Sequence, residues 1–325
     1  MKKWICWLVC LLLCMSAAAA PAEVPTEKEV IRITDAEGLL KMAEAPEASY
    51  ILENDIDMTG VEWKPVHFYG TLDGNGHAIC NLRVTTLADE TMMTVDGNNK
   101  RYDTLLMGFF SIAENAVIRN LTLKDATVRC ESDDHTFIAL LAAGSVHSTF
   151  ENVNVTGSAG LWCAGRMAGV GGIVGFGTGD IIDSEADVTL VYVDTNTKIR
   201  SEEFMGAAVA DGFMNCYNNH VRIDGYASIF GYSHCGGLIG MHRQWEKMTK
   251  ENKISYINNN TAEGRITFFE RLRGDRRAYC AGIVGERLNK YTHLEGNDDS
   301  GFERKEVRKY DEPLLPDGWE PPAAE

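Results

Sequence analysis

A quartet of one small residue, two apolar residues and a second small residue recurs six times along the chain. The quartets begin at Gly108, Ala139, Gly172, Ala207, Gly237 and Gly282. Successive starts are 31, 33, 35, 30 and 45 residues apart. A regular period of this length is the sequence signature of a solenoid, in which each unit packs only against its neighbours. The pattern therefore predicts one elongated repeat domain.

A second pattern places Asn or Asp two positions after an apolar residue, at nearly the same period. Its polar members are Asn120, Asn152, Asp183, Asn215 and Asn258. A side-chain amide both donates and accepts, so stacked Asn residues can bond one another and pair backbone groups that a bend would leave unsatisfied. We therefore predict that these five residues form a structural ladder.

The composition of each unit favours strands over pairs of helices. Val, Ile, Thr and Gly alternate along Val153–Gly157 and Asp187–Val191, as expected for short β-strands. Leucine-rich repeats also use an Asn column, but there the Asn follows the strand, whereas Asn120 precedes Leu121 and Leu123 here. The sequence thus predicts an all-β fold, a right-handed parallel β-helix with an N-terminal helical cap and loop insertions.

Breaks in the patterns set the expected domain boundaries. The expected divisions are a signal peptide at 1–22, a capping segment at 23–60, β-helix repeats at 61–288 and a polar, Pro-containing tail at 289–325. Within the cap, Thr34 and Glu37 have the spacing of a capping box before a short helix. Because both patterns return late at their last occurrence, an insertion is predicted at Met241–Lys253. A second excursion is predicted at Leu87–Thr104.

The first residues have the organisation of an export signal. Lys2 and Lys3 precede an apolar run from Trp4 to Met15, and small residues end in Ala20–Ala22. The expected mature protein is secreted or held at the cell surface, with cleavage near Ala22. No later stretch approaches the ~20 apolar residues of a membrane span, so no membrane insertion is expected after signal removal.

The net charge bears on the class of partner, and the cysteines bear on whether disulfides form. The formal net charge is −16, which argues against nucleic acid as a partner because phosphates require basic surfaces. Six cysteines follow the signal, at positions 80, 130, 163, 216, 235 and 280. Their spacing has no motif, so buried thiols are favoured over a disulfide framework.

Several segments resemble a known group of bacterial proteins. They are Tyr50–Met58, Phe68–Ile79 with its DGNGH sequence, and the later GGIVG, GGLIG and AGIVG quintets. Between residues 28 and 285 the chain resembles bacterial secreted proteins that carry GLUG-type repeats. This resemblance implies a β-helical, extracellular and adhesin-like protein whose repeats lack an assigned activity.

Candidate chemistry is sparse. Asp73–Gly76 could supply calcium ligands, but it has the composition of a tight turn and lacks the Glu expected at the twelfth loop position. His77 beside this turn is interpreted as a turn or edge residue rather than a metal ligand, and no cofactor or metal is expected. Ligand binding is instead assigned to the following aromatic and basic residues: Trp245, Arg271, Arg273, Arg276 and Arg277.

The function predicted from these features is non-catalytic adhesion or ligand binding, with a glycan or a host or cell-surface protein as partner. No catalytic residue is assigned. Two alternatives stay open. One is a polysaccharide-cleaving β-helix enzyme that uses residues from Asp180, Asp187, Asp194, Lys198 and Arg200. The other is a purely structural spacer.

Overall fold

The computed structural model describes residues 30–95, 100–196, 201–229, 231–244, 253–270, 277–287, 289–307, 315–316 and 319–320. The protein is all-β, with 67% strand and 4% helix. In these described ranges no helix is long and apolar enough to cross a membrane. The expected signal peptide at 1–22 lies outside the described residues.

In the described part of the chain, 27 strands, numbered in chain order, form two sheets. The larger sheet consists of β1 (Val30–Ile33), β2 (Ser49–Leu52), β3 (Ile56–Asp57), β4 (Val66–Phe68), β5 (Thr71–Asp73), β6 (Ala78–Cys80), β7 (Arg83–Val84), β10 (Phe110–Glu114), β11 (Val117–Ser132), β13 (Ala142–Cys163), β15 (Val174–Ile182), β16 (Glu185–Asp194), β18 (Val209–Tyr217), β19 (His220–Ile229), β21 (Ile239–His242), β22 (Ser255–Asn258), β23 (Thr261–Glu270), β25 (Val284–Arg287), β26 (Thr292–Glu295) and β27 (Asp298–Val307). The smaller sheet consists of β8 (Met92–Val95), β9 (Arg101–Met107), β12 (Thr136–Ala139), β14 (Met167–Gly171), β17 (Glu202–Gly206), β20 (Tyr232–Gly236) and β24 (Arg277–Ala281). The helices are α1 (Ala36–Leu40) and a 3-10 turn (Lys41–Glu44).

Residues that are one sequence period apart pair with each other on neighbouring strands. Ile118 of β11 pairs with Phe150 of β13, Phe150 with Ile181 of β15, and Ile181 with Cys216 of β18, all in parallel register. Among the described strands only the β8–β9 hairpin is antiparallel. Parallel neighbours cannot be joined by a tight hairpin, and here the paired residues are 31–35 residues apart, about one sequence repeat.

Alternating residues of the long strands form the core. Leu161, Tyr192, Ala227 and Phe268 occupy one row across β13, β16, β19 and β23, and each is at most 1% exposed. Burying a large apolar side chain contributes about 1.5–3 kcal/mol, so such rows supply much of the folding free energy. The residues between them point outward, away from this core.

The small-residue quartets join the two sheets. β14 ends at Gly171 and β15 begins at Val174, and the other quartets occupy equivalent junctions. A Cβ added to Gly172, the first residue of its quartet, would lie 2.1 Å from the carbonyl oxygen of Ala207, the first residue of the next quartet, so successive junctions approach too closely for a large side chain. This close approach explains why small residues recur at the period.

The ends of the sheet differ from the expected boundaries. Helix α1 is present, but its N-cap is Asp35, whose Oδ1 accepts from the Gly38 N–H at 2.9 Å; the expected Thr34 cap is wrong by one residue. Strands β1–β3 lie within 23–60 and pair with β2, β5 and β6, so this segment is part of the sheet. Pairing also continues past residue 288, through β26 and β27 to Val307.

Both expected excursions coincide with interruptions of the strands. β21 ends at His242 and β22 begins at Ser255, although both pair with the single strand β18. The inserted segment therefore lies between them, and residues 245–252 of it are outside the described part. The Leu87–Thr104 excursion contains the β8–β9 hairpin, whose second strand enters the smaller sheet beside β12.

The ladder residues differ from the prediction in the second half of the chain. Asn120, Asn152 and Asp183 have left-handed φ values near +50° and share one column, in which Asn152 Nδ2 donates to Asn120 Oδ1 at 3.0 Å. The next members are Asn218 and Asn259: Asn218 Nδ2 donates to Asp183 Oδ1 at 2.9 Å and Asn259 Nδ2 to Asn218 Oδ1 at 3.3 Å.

The predicted ladder members Asn215 and Asn258 lie outside that column. Asn215 instead donates to Asp180 Oδ1 at 2.7 Å, and Asn258 accepts from the Glu295 N–H at 3.2 Å. The register explains the correction, because Ile181 pairs with Cys216, which places Asp183 in line with Asn218.

A second, buried ladder follows the left-handed column by one residue. Asn219, Asn260 and Asn297 stack through Asn219 Nδ2 to Asn260 Oδ1 and Asn260 Nδ2 to Asn297 Oδ1, both at 2.9 Å. Asn219 and Asn260 are at most 1% exposed. Each amide also serves backbone groups of the repeat before it, so these polar side chains are satisfied inside the sheet.

Candidate functional site

A groove lies on the outer face of β16, β19 and β23. Outward residues of these strands align in two rows, Asp187 with Arg222 and Glu263, and Thr189 with Asp224 and Arg265. These six residues line a cavity of about 410 Å³. We call this cavity the ionic groove, because three carboxylates and two guanidinium groups face it.

Two glycines give the ionic groove its depth. Gly264 has φ +98°, and a Cβ there would lie 2.1 Å from the Ile223 carbonyl oxygen. Gly301 of β27 aligns with Glu263 and ends that row without a side chain. The floor is therefore backbone, while the longer side chains of the neighbouring strands form the walls.

The charges in the groove form long and partly exposed pairs. Arg222 Nη2 lies 3.3 Å from Glu263 Oε2, and Arg265 Nη2 lies 3.5 Å from Asp224 Oδ1. The two arginine side chains are 63% and 40% exposed. Exposed pairs of this kind contribute about 0–1 kcal/mol to stability. Their hydrogen-bonding groups can therefore exchange partners with a ligand at little cost.

Tyr226 marks the end of the ionic groove. Its hydroxyl donates to Asp224 Oδ2 at 3.1 Å, and its pKa is raised, mainly by burial and also by the neighbouring Asp224 charge. The ring packs against an apolar cluster further along the same strands. Tyr226 thus joins a polar and an apolar surface on one face of the sheet.

We call the second surface the apolar half of the outer face. It consists of Trp162, Val191, Val193 and Phe269, each at most 3% exposed. The C-terminal residues Leu315 and Trp319 pack against it. The expected polar tail at 289–325 therefore contributes two apolar side chains to the folded surface.

The predicted ligand-binding residues cannot be placed in this site. Trp245, Arg271, Arg273 and Arg276 lie outside the described residues. Arg277 begins β24 in the smaller sheet and pairs in register with Tyr232 of β20. Its backbone is therefore not on the strands that carry the ionic groove.

The acidic residues of the enzymatic alternative are separated by the fold. Asp180 bonds the amide of Asn215, Asp187 lines the ionic groove, and Asp194 is buried where it accepts from Ser201 Oγ at 2.6 Å. Lys198 and Arg200 lie outside the described residues. Proximity in sequence did not indicate proximity in space, because Asp180 lies on β15, while Asp187 and Asp194 lie seven residues apart on β16 and on opposite faces of that strand.

Sequence reasoning missed most of the ionic groove. Arg222 and Asp224 flank an inward Ile223, and Glu263 and Arg265 flank Gly264, 41 residues later. Aligning the chain on its period would have placed these alternating charges beside one another. Within the described part of the chain, no group of three or more His, Cys, Asp or Glu side chains is arranged to hold a metal ion.

A buried ionic cluster lies where the inserted segment leaves β21. Arg243 Nη2 lies 2.7 Å from Asp211 Oδ2, its Nε lies 3.2 Å from both Asp211 oxygens, and its Nη1 lies 3.6 Å from Glu202 Oε2. Asp211 is fully buried, and burial raises its pKa to about 6 although the Arg243 charge opposes this shift. The ion pair therefore anchors the base of the insertion.

A stack of rings packs beside this cluster. His234 lies between Phe204 and Tyr279, with both ring centroids 5.3 Å away, and the Arg243 guanidinium lies 5.0 Å from the Phe204 ring. His234 Nδ1 is 2.6 Å from Glu286 Oε2. These side chains are mostly buried, so the cluster positions backbone rather than presenting groups to a ligand.

His242, adjacent to Arg243, should make stability depend on pH. Burial lowers its pKa to about 4, with the Arg287 charge as a smaller cause, and its Nδ1 lies 3.2 Å from Thr292 Oγ1. Because the folded pKa is below the unfolded value, the neutral ring contributes stability above pH 6.5 that is lost as pH falls towards 4. Urea unfolding at pH 7 and 4.5 should show a larger loss for wild type than for His242→Gln. Equal losses would contradict this role.

Comparison with known proteins gives little similarity. No family model matches the chain, and no curated protein matches it. A crystal structure of a Bacteroides ovatus protein, provisionally described as an immunoglobulin A1 protease, has 15% identity and a TM-score of 0.49, with 87% of this chain and 80% of that chain covered. A structure named IgA1 Protease has 15% identity and a TM-score of 0.40, covering 85% of this chain and 21% of that one. At these values neither structure supports an argument about activity.

Proposed function

We propose that the chain is a secreted or cell-surface right-handed parallel β-helix of the GLUG-repeat kind that binds a ligand without catalysis. The export-type N-terminus and the GLUG-like segments support the location and the family. Parallel pairing between successive repeats, with tight quartet corners between two sheets, supports the solenoid. The ionic groove is the proposed ligand site.

The composition of the ionic groove carries the proposal. Carboxylates and guanidiniums that are only weakly paired offer several hydrogen-bond acceptors and donors on a rigid sheet. Tyr226 supplies a flat ring at one end. This combination suits a neutral oligosaccharide, whose hydroxyls both donate and accept and whose ring has an apolar face. The chain's formal net charge of −16 disfavours a polyanionic glycan.

A binding test follows from the position of Arg222. In glycan-array and titration measurements, Arg222→Gln should weaken oligosaccharide binding about tenfold, since hydrogen bonds to charged groups contribute ~1.5–3 kcal/mol. Its unfolding free energy should change by less than about 0.5 kcal/mol, because the side chain is 63% exposed. Arg32→Gln is the matched control, since Arg32 is 68% exposed and lies on β1, away from the groove.

The same measurements discriminate the rival functions. Asp187, Asp224 and Glu263 place three carboxylates in one groove, so turnover should also be assayed on a panel of uronate and neutral polysaccharides. Cleavage that is lost in Asp187→Asn would contradict the non-catalytic proposal. Failure of the wild-type protein to bind any glycan would favour a spacer role.

A further inference from the structure

The ionic groove and the apolar half belong to one continuous face. β16 carries Asp187 and Thr189 in the groove and, further along the same strand, Val191 and Val193 in the apolar half. Tyr226 of β19 contacts both parts. The groove is open, whereas the apolar half is covered by Leu315 and Trp319 of the C-terminal segment.

The position of Trp319 is shaped by a glycine and an arginine. A Cβ added to Gly160 would lie 2.6 Å from the Trp319 ring, so any other residue there would push the indole away. On another side, the Arg129 guanidinium lies 3.6 Å from the Trp319 ring centre. Arg129 is held in place because it donates to the carbonyl oxygens of Val128 and Ser158 at 3.0 and 2.9 Å. These contacts define a seat for one aromatic ring.

The described residues of the segment that fills this seat form no backbone hydrogen bond to the sheet. Among its four described residues, 315–316 and 319–320, the one backbone hydrogen bond is internal, from the Trp319 N–H to the Pro316 carbonyl oxygen at 3.1 Å. The contacts to the face are apolar and cation–π contacts. Leu315 and Trp319 can therefore leave the face without breaking a backbone hydrogen bond between these described residues and the sheet.

We propose that the C-terminal segment is an intramolecular ligand that occupies the aromatic seat, and that a neutral oligosaccharide bound in the ionic groove displaces it. Displacement exposes Trp162 on the far side of Val191 and Val193 from Tyr226, so the sugar chain continues from the polar groove across the apolar half to an aromatic ring. The apolar faces of successive sugar rings then stack where Trp319 was seated. This inference rests on the proposed function of the ionic groove.

Full-length Trp319→Ala tests the inference. With the seat empty, this variant should enhance the fluorescence of 1-anilinonaphthalene-8-sulfonate, an apolar dye, at concentrations where the wild type does not. Its affinity for oligosaccharides that bind the wild type should rise about fivefold or more, since competition by the segment is removed. Arg129→Gln, which retains Trp319 and leaves its seat open but removes the cation over the indole, should show a gain in the same direction. Trp319→Phe, which keeps an aromatic ring, should stay close to wild type.

The outcomes separate the two proposals. If Arg222→Gln weakens binding about tenfold but Trp319→Ala and Arg129→Gln bind like wild type, displacement is wrong while the groove function stands. If neither wild type nor any variant binds an oligosaccharide, the groove function is wrong, and displacement falls with it even where the dye reports an exposed seat. Thermal melts of each variant show whether it is folded, and Trp319→Phe remains informative if Trp319→Ala is not.

Discussion

Replacing Arg243 with Met is expected to lower the free energy of unfolding by about 3–5 kcal/mol. The guanidinium is buried against a fully buried carboxylate, and removing one partner of such a pair leaves an uncompensated charge. The loss should be largest at neutral pH. It should shrink as pH falls through about 6, because Asp211 then takes up a proton and no longer needs the cation.

Urea unfolding monitored by tryptophan fluorescence measures this effect. Arg32→Met is the control, because Arg32 also pairs with a carboxylate, that of Glu53, but is 68% exposed. It should change the unfolding free energy by less than about 1 kcal/mol. The double variant Arg243→Met/Asp211→Leu should recover most of the loss, since both charges are then gone. Similar losses for the two single variants would show that burial does not determine the cost.

Asn260→Leu is expected to cost roughly 4 kcal/mol, although the two side chains are similar in size. Asn260 Oδ1 accepts from the backbone N–H and the amide of Asn219 at 3.0 and 2.9 Å, and its Nδ2 donates to the Cys216 carbonyl oxygen at 3.0 Å. Leucine removes the partner of the buried Asn219 N–H and Cys216 carbonyl oxygen, while Asn219 Nδ2 keeps its bond to the Ile181 carbonyl, and each unsatisfied group costs about 1–3 kcal/mol. Chemical denaturation gives the magnitude.

Asn258→Leu is the matched control two residues earlier. Asn258 is partly exposed and accepts one bond, from the Glu295 N–H. Water can replace that bond, so this change should cost less than about 1 kcal/mol. If Asn258→Leu is the more damaging of the two, the assignment of the buried ladder to Asn219, Asn260 and Asn297 is wrong.

The left-handed Asn ladder shows which features the sequence period predicts and which it does not. The apolar-x-Asn pattern occurs twice in a short stretch, as Phe213-x-Asn215 and as Cys216-x-Asn218. A spacing close to 32 favours the first, but the intervening repeat is longer and the register selects the second. The average spacing predicts the repeats and the position of the inserted segment, and the composition of each unit predicts the strands. The side chain that enters the column depends on local turn length, which the average does not contain.

The candidate site was harder to predict for a related reason. The ionic groove pairs Arg222 with Glu263, residues separated by one repeat and by the insertion. A sequence scan for local clusters instead selected 180–200 and 271–277, where charges are neighbours along the chain. Side chains at paired positions of adjacent parallel strands meet in space although they are about one repeat apart in sequence. Charged residues that are close in sequence lie instead on different strands or on opposite faces of one strand. Alignment of strands is therefore needed before charges can be grouped.

The hydrogen bonds from the buried ladder to the backbone all run in one direction along the chain, from a later repeat to the one before it. Asn219 pairs the Ser184 N–H and the Ile181 carbonyl of the repeat before it, Asn260 does the same for Asn219 and Cys216, and Asn297 for Asn260 and Ile257. In these three cases the backbone hydrogen bonds at the corner of a repeat are therefore completed by a side chain that is synthesised later. During vectorial synthesis the newest repeat always carries unfilled backbone positions at its corner. Shortening the chain by one whole repeat would move this defect towards the N-terminus without removing it.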